Sequence, residues 1–303
     1  MPKANVRLLR FAVIAAATGT LVLGSAAASA QTSPSLADDE TPVVAVGVTT
    51  AGGVSVQSEV RAGIVTFEYS QQDGDEHALQ LFRLKPGGSV SGVLQGISDA
   101  LAPPFPTRAL GVQAIDANAT LFGGALILPG HALKVTVAID AGTYYFVDYS
   151  DFGVRTPRVV TMEAVGQFVH SPVPSFDSVV VANMQQNHQM RFVVTQTEMS
   201  TTGTFKFINA SDEDHEVVFR PTRPGITDDY VATFYDAVVA GTPRPQSPWI
   251  GIQHGLNPVS AGMWAVVQID LAAGPHALIC YVASDENGLP HGFTEMHQMV
   301  NLS

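Results

Sequence analysis

Two segments of this chain align without a gap, and that repeat limits what it can fold into more than any other feature. "TFEYSQQDGDEHALQLFRLKPG" (66–87) lies over "TFKFINASDEDHEVVFRPTRPG" (204–225). Phe67 matches Phe205, Tyr69 matches Phe207, His77 matches His215, and Pro86-Gly87 match Pro224-Gly225, each pair 138 positions apart. Downstream, "VAIDAGTYYFVDY" (137–149) matches "VQIDLAAGPHALICY" (267–281) after a two-residue shift. A period this long means a duplicated domain rather than a solenoid of short repeats. The expected organisation is one copy at 43–165 and a second at 166–303, with the polar stretch 31–42 as a leader.

Within each copy the pattern is β. "TFKFIN" and "EVVFRP" flank the polar turn ASDEDH, and "MWAVVQIDL" and "HALICYVA" are apolar runs of strand length parted by Gly274-Pro275, so strand–turn–strand units are expected. One helix interrupts each copy, at 89–101 and at 227–239. In the second of these, Val231, Phe234, Tyr235 and Val238 recur at helical spacing behind Thr227 or Asp228 as a cap. Short strands with one inserted helix predict an all-β chain of two tandem Greek-key β-sandwiches.

The N-terminus reads as an export signal: Lys3, Arg7 and Arg10, an uncharged apolar run from 11 to 24, and Ala-Ser-Ala at 28–30. The expectation is cleavage after Ala30 and a secreted protein with no membrane segment left after removal. Cleavage would leave twelve basic against twenty-seven acidic residues, a net charge of −15. Such a surface repels phosphates and anionic lipid, so nucleic acid and membranes are not expected partners.

Export gives weight to the only cysteine, Cys280. A secreted chain usually pairs its thiols, and an unpaired one survives oxidation when it is buried or holds a metal. Copy two carries His215 after one strand, Cys280 late in another, and His291 and Met296 in the loop that follows. One thiolate, two imidazoles and a distant thioether make the set that holds copper in a trigonal His2Cys site with a weak axial Met.

These residues carry a resemblance. "FKFINASDEDHEVVF" resembles the first-histidine segment of the cupredoxins, in which an Asn precedes the ligand His. "LAAGPHALICYVASDENGLPHGFTEM" resembles their closing segment of turn, Cys strand, His and Met. The resemblance covers both copies as cupredoxin-like domains and copy two as a site. It implies one copper ion held by His215, Cys280, His291 and Met296, and a role in electron transfer or copper handling with a redox or copper-exchanging protein partner. Ten residues separate Cys280 from His291, where small electron carriers have two to four.

Copy one keeps His77 but has Asp148 in the place of Cys280 and Arg158 in the place of His291, so no copper is expected there. Met184, His188 and Met190 in "NMQQNHQM" offer soft donors with no thiolate among them. No His-x-His pair occurs for a multicopper oxidase, and neither G-x-S-x-G nor H-E-x-x-H is present, which leaves no enzyme signature. The alternative reading is a metal-free tandem β-sandwich serving as a binding or structural module outside the cell.

Overall fold

The computed structural model describes residues 41–152, 157–185 and 189–303. The expected signal segment 1–30 with its cleavage point, residues 31–40 of the leader, and His188 lie outside them. In the first half, strands β1 (Val43–Val48), β2 (Val54–Val56), β3 (Glu59–Gln71) and β4 (His77–Leu84) lead into helices α1 (Val90–Leu101) and α2 (Phe105–Asn118). Strands β5 (Ala119–Ile127), β6 (Leu133–Ile139), β7 (Gly142–Asp148) and β8 (Val159–Val169) complete it. The second half begins with β9 (Ser178–Met184), β10 (Met190–Val194), β11 (Glu198–Met199), β12 (Thr204–Asn209) and β13 (His215–Pro221). Helix α3 (Asp228–Ala240) follows, then β14 (His254–Val259), β15 (Trp264–Gln268), β16 (Gly274–Ile279) and β17 (His297–Leu302).

Strand pairing sorts these elements into two layers, joined at one edge where β3 also pairs in parallel with β8, with the short β11 beside β17. One runs β2-β1-β3-β6-β15-β12-β9-β10. The other runs β8-β7-β4-β5-β14-β13-β16-β17. Pairings of the first half recur in the second: parallel β1–β3 with β9–β12, and antiparallel β4–β7 with β13–β16. The halves join edge to edge through β6–β15 and β5–β14, which makes both layers continuous and holds the two halves in one compact unit. The chain is all-β in class, as its alternation of apolar and polar residues predicts.

The same alternation drives the layers together. In β12, Phe205, Phe207 and Asn209 turn inward and are fully buried, while Lys206 faces out, its ammonium 5.0 Å from the Trp264 ring centre. Phe205 meets Phe219 of the opposite layer at 5.5 Å between ring centres, and Phe67 meets Phe146 at 5.6 Å. Each such ring removed from water is worth about 1.5–3 kcal/mol.

Two local expectations change. The neighbouring strands β12 and β13, and likewise β15 and β16, are not hairpins, because each pair lies in opposite layers. The turn 210–214 is therefore a crossing from one layer to the other, and it delivers His215 to the edge of the core. The first half also holds two helices rather than one. Helix α1 is capped by Ser89, whose hydroxyl accepts from Gly92 N at 3.0 Å. Helix α2 has no apolar stripe: Ala109, Gly111, Val112 and Ile115 are buried while Leu110 between them is 64% exposed. It packs because Gly111 lets its backbone touch Gly96 of α1, where an added Cβ would lie 2.6 Å from Gly96 O. Helix α3 is capped by Thr227, with Val231 and Tyr235 buried as expected.

Candidate metal centre

The crossing turn is tied down by Asn209. Its buried amide donates to Glu213 O at 2.7 Å and to Val259 O at 2.8 Å, and its oxygen accepts from Ser211 N and Oγ. A buried side chain with these bonds is structural. The turn hands over to β13, which opens on His215. Pairing of Val218 with Ile279 brings the end of β16, and Cys280 just beyond it, alongside.

The ten-residue loop returns by folding on itself. Ala283 bridges to Pro290, Ser284 N donates to Leu289 O at 2.9 Å, and His291 N donates to Val282 O at 2.9 Å. Gly288 sits at φ +75°, with a position for Cβ only 1.7 Å from Phe105 O of α2. Tyr235 of α3 stacks on Phe293 at 4.4 Å, and its hydroxyl lies 3.0 Å from that of Tyr281. The long gap is thus a packed hairpin held between α2 and α3. Gly288→Ala should cost more than the roughly 1–3 kcal/mol of a left-handed non-glycine residue alone, because the methyl also meets Phe105 O, read as a lower urea midpoint.

Three ligand atoms converge at this pole. His215 Nδ1 lies 3.5 Å and His291 Nδ1 3.6 Å from Cys280 Sγ, and all three atoms fall within 4.8 Å of one another. All three residues are buried. An ion bonded to nitrogen at about 2.0–2.1 Å and to sulfur at about 2.3 Å, with angles between tetrahedral and trigonal, sets N···S spacings of roughly 3.6–3.8 Å. The two nitrogen–sulfur spacings lie at or just below the short end of that range. Met296 is fully buried in the same core, its carbonyl accepting from Cys280 N at 3.3 Å and its N donating to His291 O at 3.0 Å. The next residue, His297, faces Asp228 at 3.2 Å.

Burial acts in opposite senses on the two kinds of donor, freeing the imidazole and holding the proton on the thiol. Burial drives the His215 pKa well below the usual imidazole range, with His291 adding to the effect, so its ring is neutral near pH 7 and has a lone pair to give. Burial pushes the Cys280 thiol well above its usual range, and the Glu216 carboxylate pushes the same way, against backbone hydrogen bonds from Glu216 and Val282. A metal would take this sulfur as thiolate, so binding displaces its proton. Glu213, which the sequence shows only as part of an acidic turn, is the second-layer partner of the site. Its Oε2 lies 3.1 Å from His291 Nε2 and accepts from Asp285 N at 2.9 Å. Burial opposes its charge, but the hydrogen bond to His291 outweighs it and holds the carboxyl below the usual range. That contact places the ring proton on Nε2 and frees Nδ1 toward the sulfur.

The first half makes the comparison internally. Asp148 occupies the place of Cys280, opposite β4 through the Leu79–Asp148 pair. His77 Nδ1 meets Asp148 Oδ2 at 2.5 Å, and its Nε2 meets Asp73 Oδ1 at 2.9 Å. Arg158 is exposed and Met162 is buried in β8. Where one half gathers three soft or borderline donors, the other holds a closed ion-paired cluster. Among the described residues, His215, Cys280 and His291 form the one His/Cys/acid group of three or more whose ligand atoms converge.

No family model and no curated protein matches this chain. Solved structures are similar to it at low identity. Auracyanin A, a "blue" copper protein of the green thermophilic photosynthetic bacterium Chloroflexus aurantiacus, is 17% identical over 41% of this chain and 96% of that one, with a TM-score of 0.25. Reduced rusticyanin is 15% identical over 42% of this chain and 77% of that one, TM-score 0.25. Copper nitrite reductase from Nitrosomonas europaea is 12% identical over 87% of this chain and 94% of that one, TM-score 0.23. At such scores these likenesses carry no argument, and the class of the fold rests on the strand pairing described above.

Proposed function

We propose that this chain is an exported copper-binding protein built of two cupredoxin-like domains in tandem, 43–165 and 166–303, with one copper site in the second. His215 and His291 would hold the ion through Nδ1, Cys280 through its thiolate, and Met296 would stand at the weak axial position. The observation that carries this reading is the convergence of two imidazole nitrogens and the only thiol within 4.8 Å of one another at a buried pole. A thiolate suits Cu(I) and imidazoles suit Cu(II), so such a set supports either single-electron exchange or copper delivery. Here the protein's own part is rigidity: Asn209 fixes the turn, Glu213 fixes the His291 ring, and the packed loop returns His291 to the thiol. The partner would be a redox protein or a copper donor or acceptor. Among the described residues no helix is long and apolar enough to cross a membrane, and export itself rests on the signal-like residues 1–30.

Titration of the purified protein with copper tests this reading. One ion per chain with strong visible absorption is the expected result, and the absence of a stoichiometric site would favour a metal-free scaffold. Glu213→Gln should lower copper affinity by about 10–100-fold, the usual cost of losing a partner behind a metal-bound imidazole. A competition titration against a chelator of known affinity measures it.

A further inference from the structure

A cavity of about 240 Å³ opens beside the metal pole, in the seam between the two halves of the chain. Ile97 of α1 and Val112 of α2 line one side, while Asp214, Glu216 and Tyr281 line the other. Most of the wall is apolar, and no Lys, Arg or His belongs to it. Gln80 of β4 also lines it. Gln80 is 3% exposed, and its amide nitrogen is engaged by Leu81 O at 2.9 Å, Gly123 O at 2.8 Å and Pro258 O at 3.0 Å. Those three bonds fix the orientation of the amide, and its oxygen has no hydrogen-bond partner. A buried acceptor left alone costs about 1–3 kcal/mol.

We propose that this cavity binds a small organic cation, a primary amine on an aromatic or alkyl body. The apolar wall takes the body, and the carboxyl oxygens of Asp214 and Glu216 take the ammonium hydrogens. Two acids without a base exclude an anion, and the volume lies below the usual range for drug-sized ligands, about 300–1,000 Å³. The site is independent of the copper reading: Asp214 and Glu216 flank His215 in sequence, but nothing in the cavity requires a bound metal.

Calorimetric titration of the full chain without added copper, using phenethylamine, 2-phenylethanol and phenylacetate as probes, tests the proposal. One phenethylamine per chain is expected, with the alcohol at least tenfold weaker and no saturable binding of phenylacetate. Val112→Trp fills the cavity from α2, away from the metal ligands, and should weaken the amine at least tenfold while leaving copper binding unchanged. Equal binding of the three probes, no binding of the amine, or amine binding untouched by Val112→Trp would overturn the proposal. Should that variant not fold, the wild-type probe series decides.

Discussion

Cys280→Ser should remove the intense visible absorption of the copper-loaded protein and weaken copper binding by more than about 100-fold. Losing a partner behind a ligand already costs roughly 10–100-fold, and the thiolate is itself a ligand. The hydroxyl of serine is harder and far less acidic than a thiol, so it supplies neither the soft donor for Cu(I) nor the sulfur orbital behind the colour. Stability in the absence of metal should change little, because the thiol makes no disulfide and acts in the core as a small buried group. His215→Ala differs in kind: it leaves a hole beside Cys280, so Cys280→Ser is the cleaner probe. An unchanged spectrum and affinity in Cys280→Ser would place any bound copper elsewhere.

The second large effect belongs to the half without the thiol. Asp148→Asn should destabilise the protein by about 3–5 kcal/mol, the usual cost of leaving one member of a buried ion pair uncompensated. Asp148 holds more than His77, since its Oδ1 also accepts from Ser150 Oγ at 2.6 Å and from Ala78 N at 3.3 Å. Burial works against a charged His77, but hydrogen bonds and attraction from Asp148 and Asp73 outweigh it and raise its pKa from 6.5 to about 9. For both aspartates burial again opposes charge, and hydrogen bonding to His77 prevails, lowering each below 3.8.

The signs follow directly from these shifts. The His77 contribution is fully present below about pH 6.5 and is lost as pH rises through about 9. The aspartate contribution is present above about pH 3.8 and is lost as pH falls below it. The cluster therefore stabilises most between roughly pH 4 and 6.5. Urea unfolding of wild type between pH 6 and pH 10 should show stability falling across the upper limb, and Asp148→Asn should flatten that fall. An equally steep decline in the variant would mean that another group controls it.

Much of the architecture was legible because it was written twice. The two matches, 66–87 with 204–225 and 137–149 with 267–281, foretell the recurrent β4–β7 and β13–β16 pairings and the shared position of His77 and His215. Layer assignment was not legible. Period-two alternation in "TFKFIN" and "EVVFRP" shows that each strand has a buried face but not that the faces belong to opposite layers. Helix α2 escaped because its buried residues include small Ala109 and Gly111 beside Val112 and Ile115, with Leu110 exposed among them, so no clean apolar stripe marks it. At the site, the order of His215, Cys280, His291 and Met296 named the candidates. Glu213 was hidden because a carboxylate in "SDEDHE" reads as a solvated turn until the loop brings His291 back onto it. One signal for it was present: the Gly-Leu-Pro-His run, which promises a turn that returns the second imidazole toward that acidic segment.

The central claim is that two ring nitrogens and one sulfur from distant parts of the chain hold a single copper ion in the second half alone. Anomalous scattering at the copper edge from crystals of the copper-loaded protein tests it most directly. One peak is predicted, about 2.0–2.3 Å from His215 Nδ1, Cys280 Sγ and His291 Nδ1, with none beside His77 and Asp148. A peak at another position, or no peak in fully loaded crystals, would contradict it.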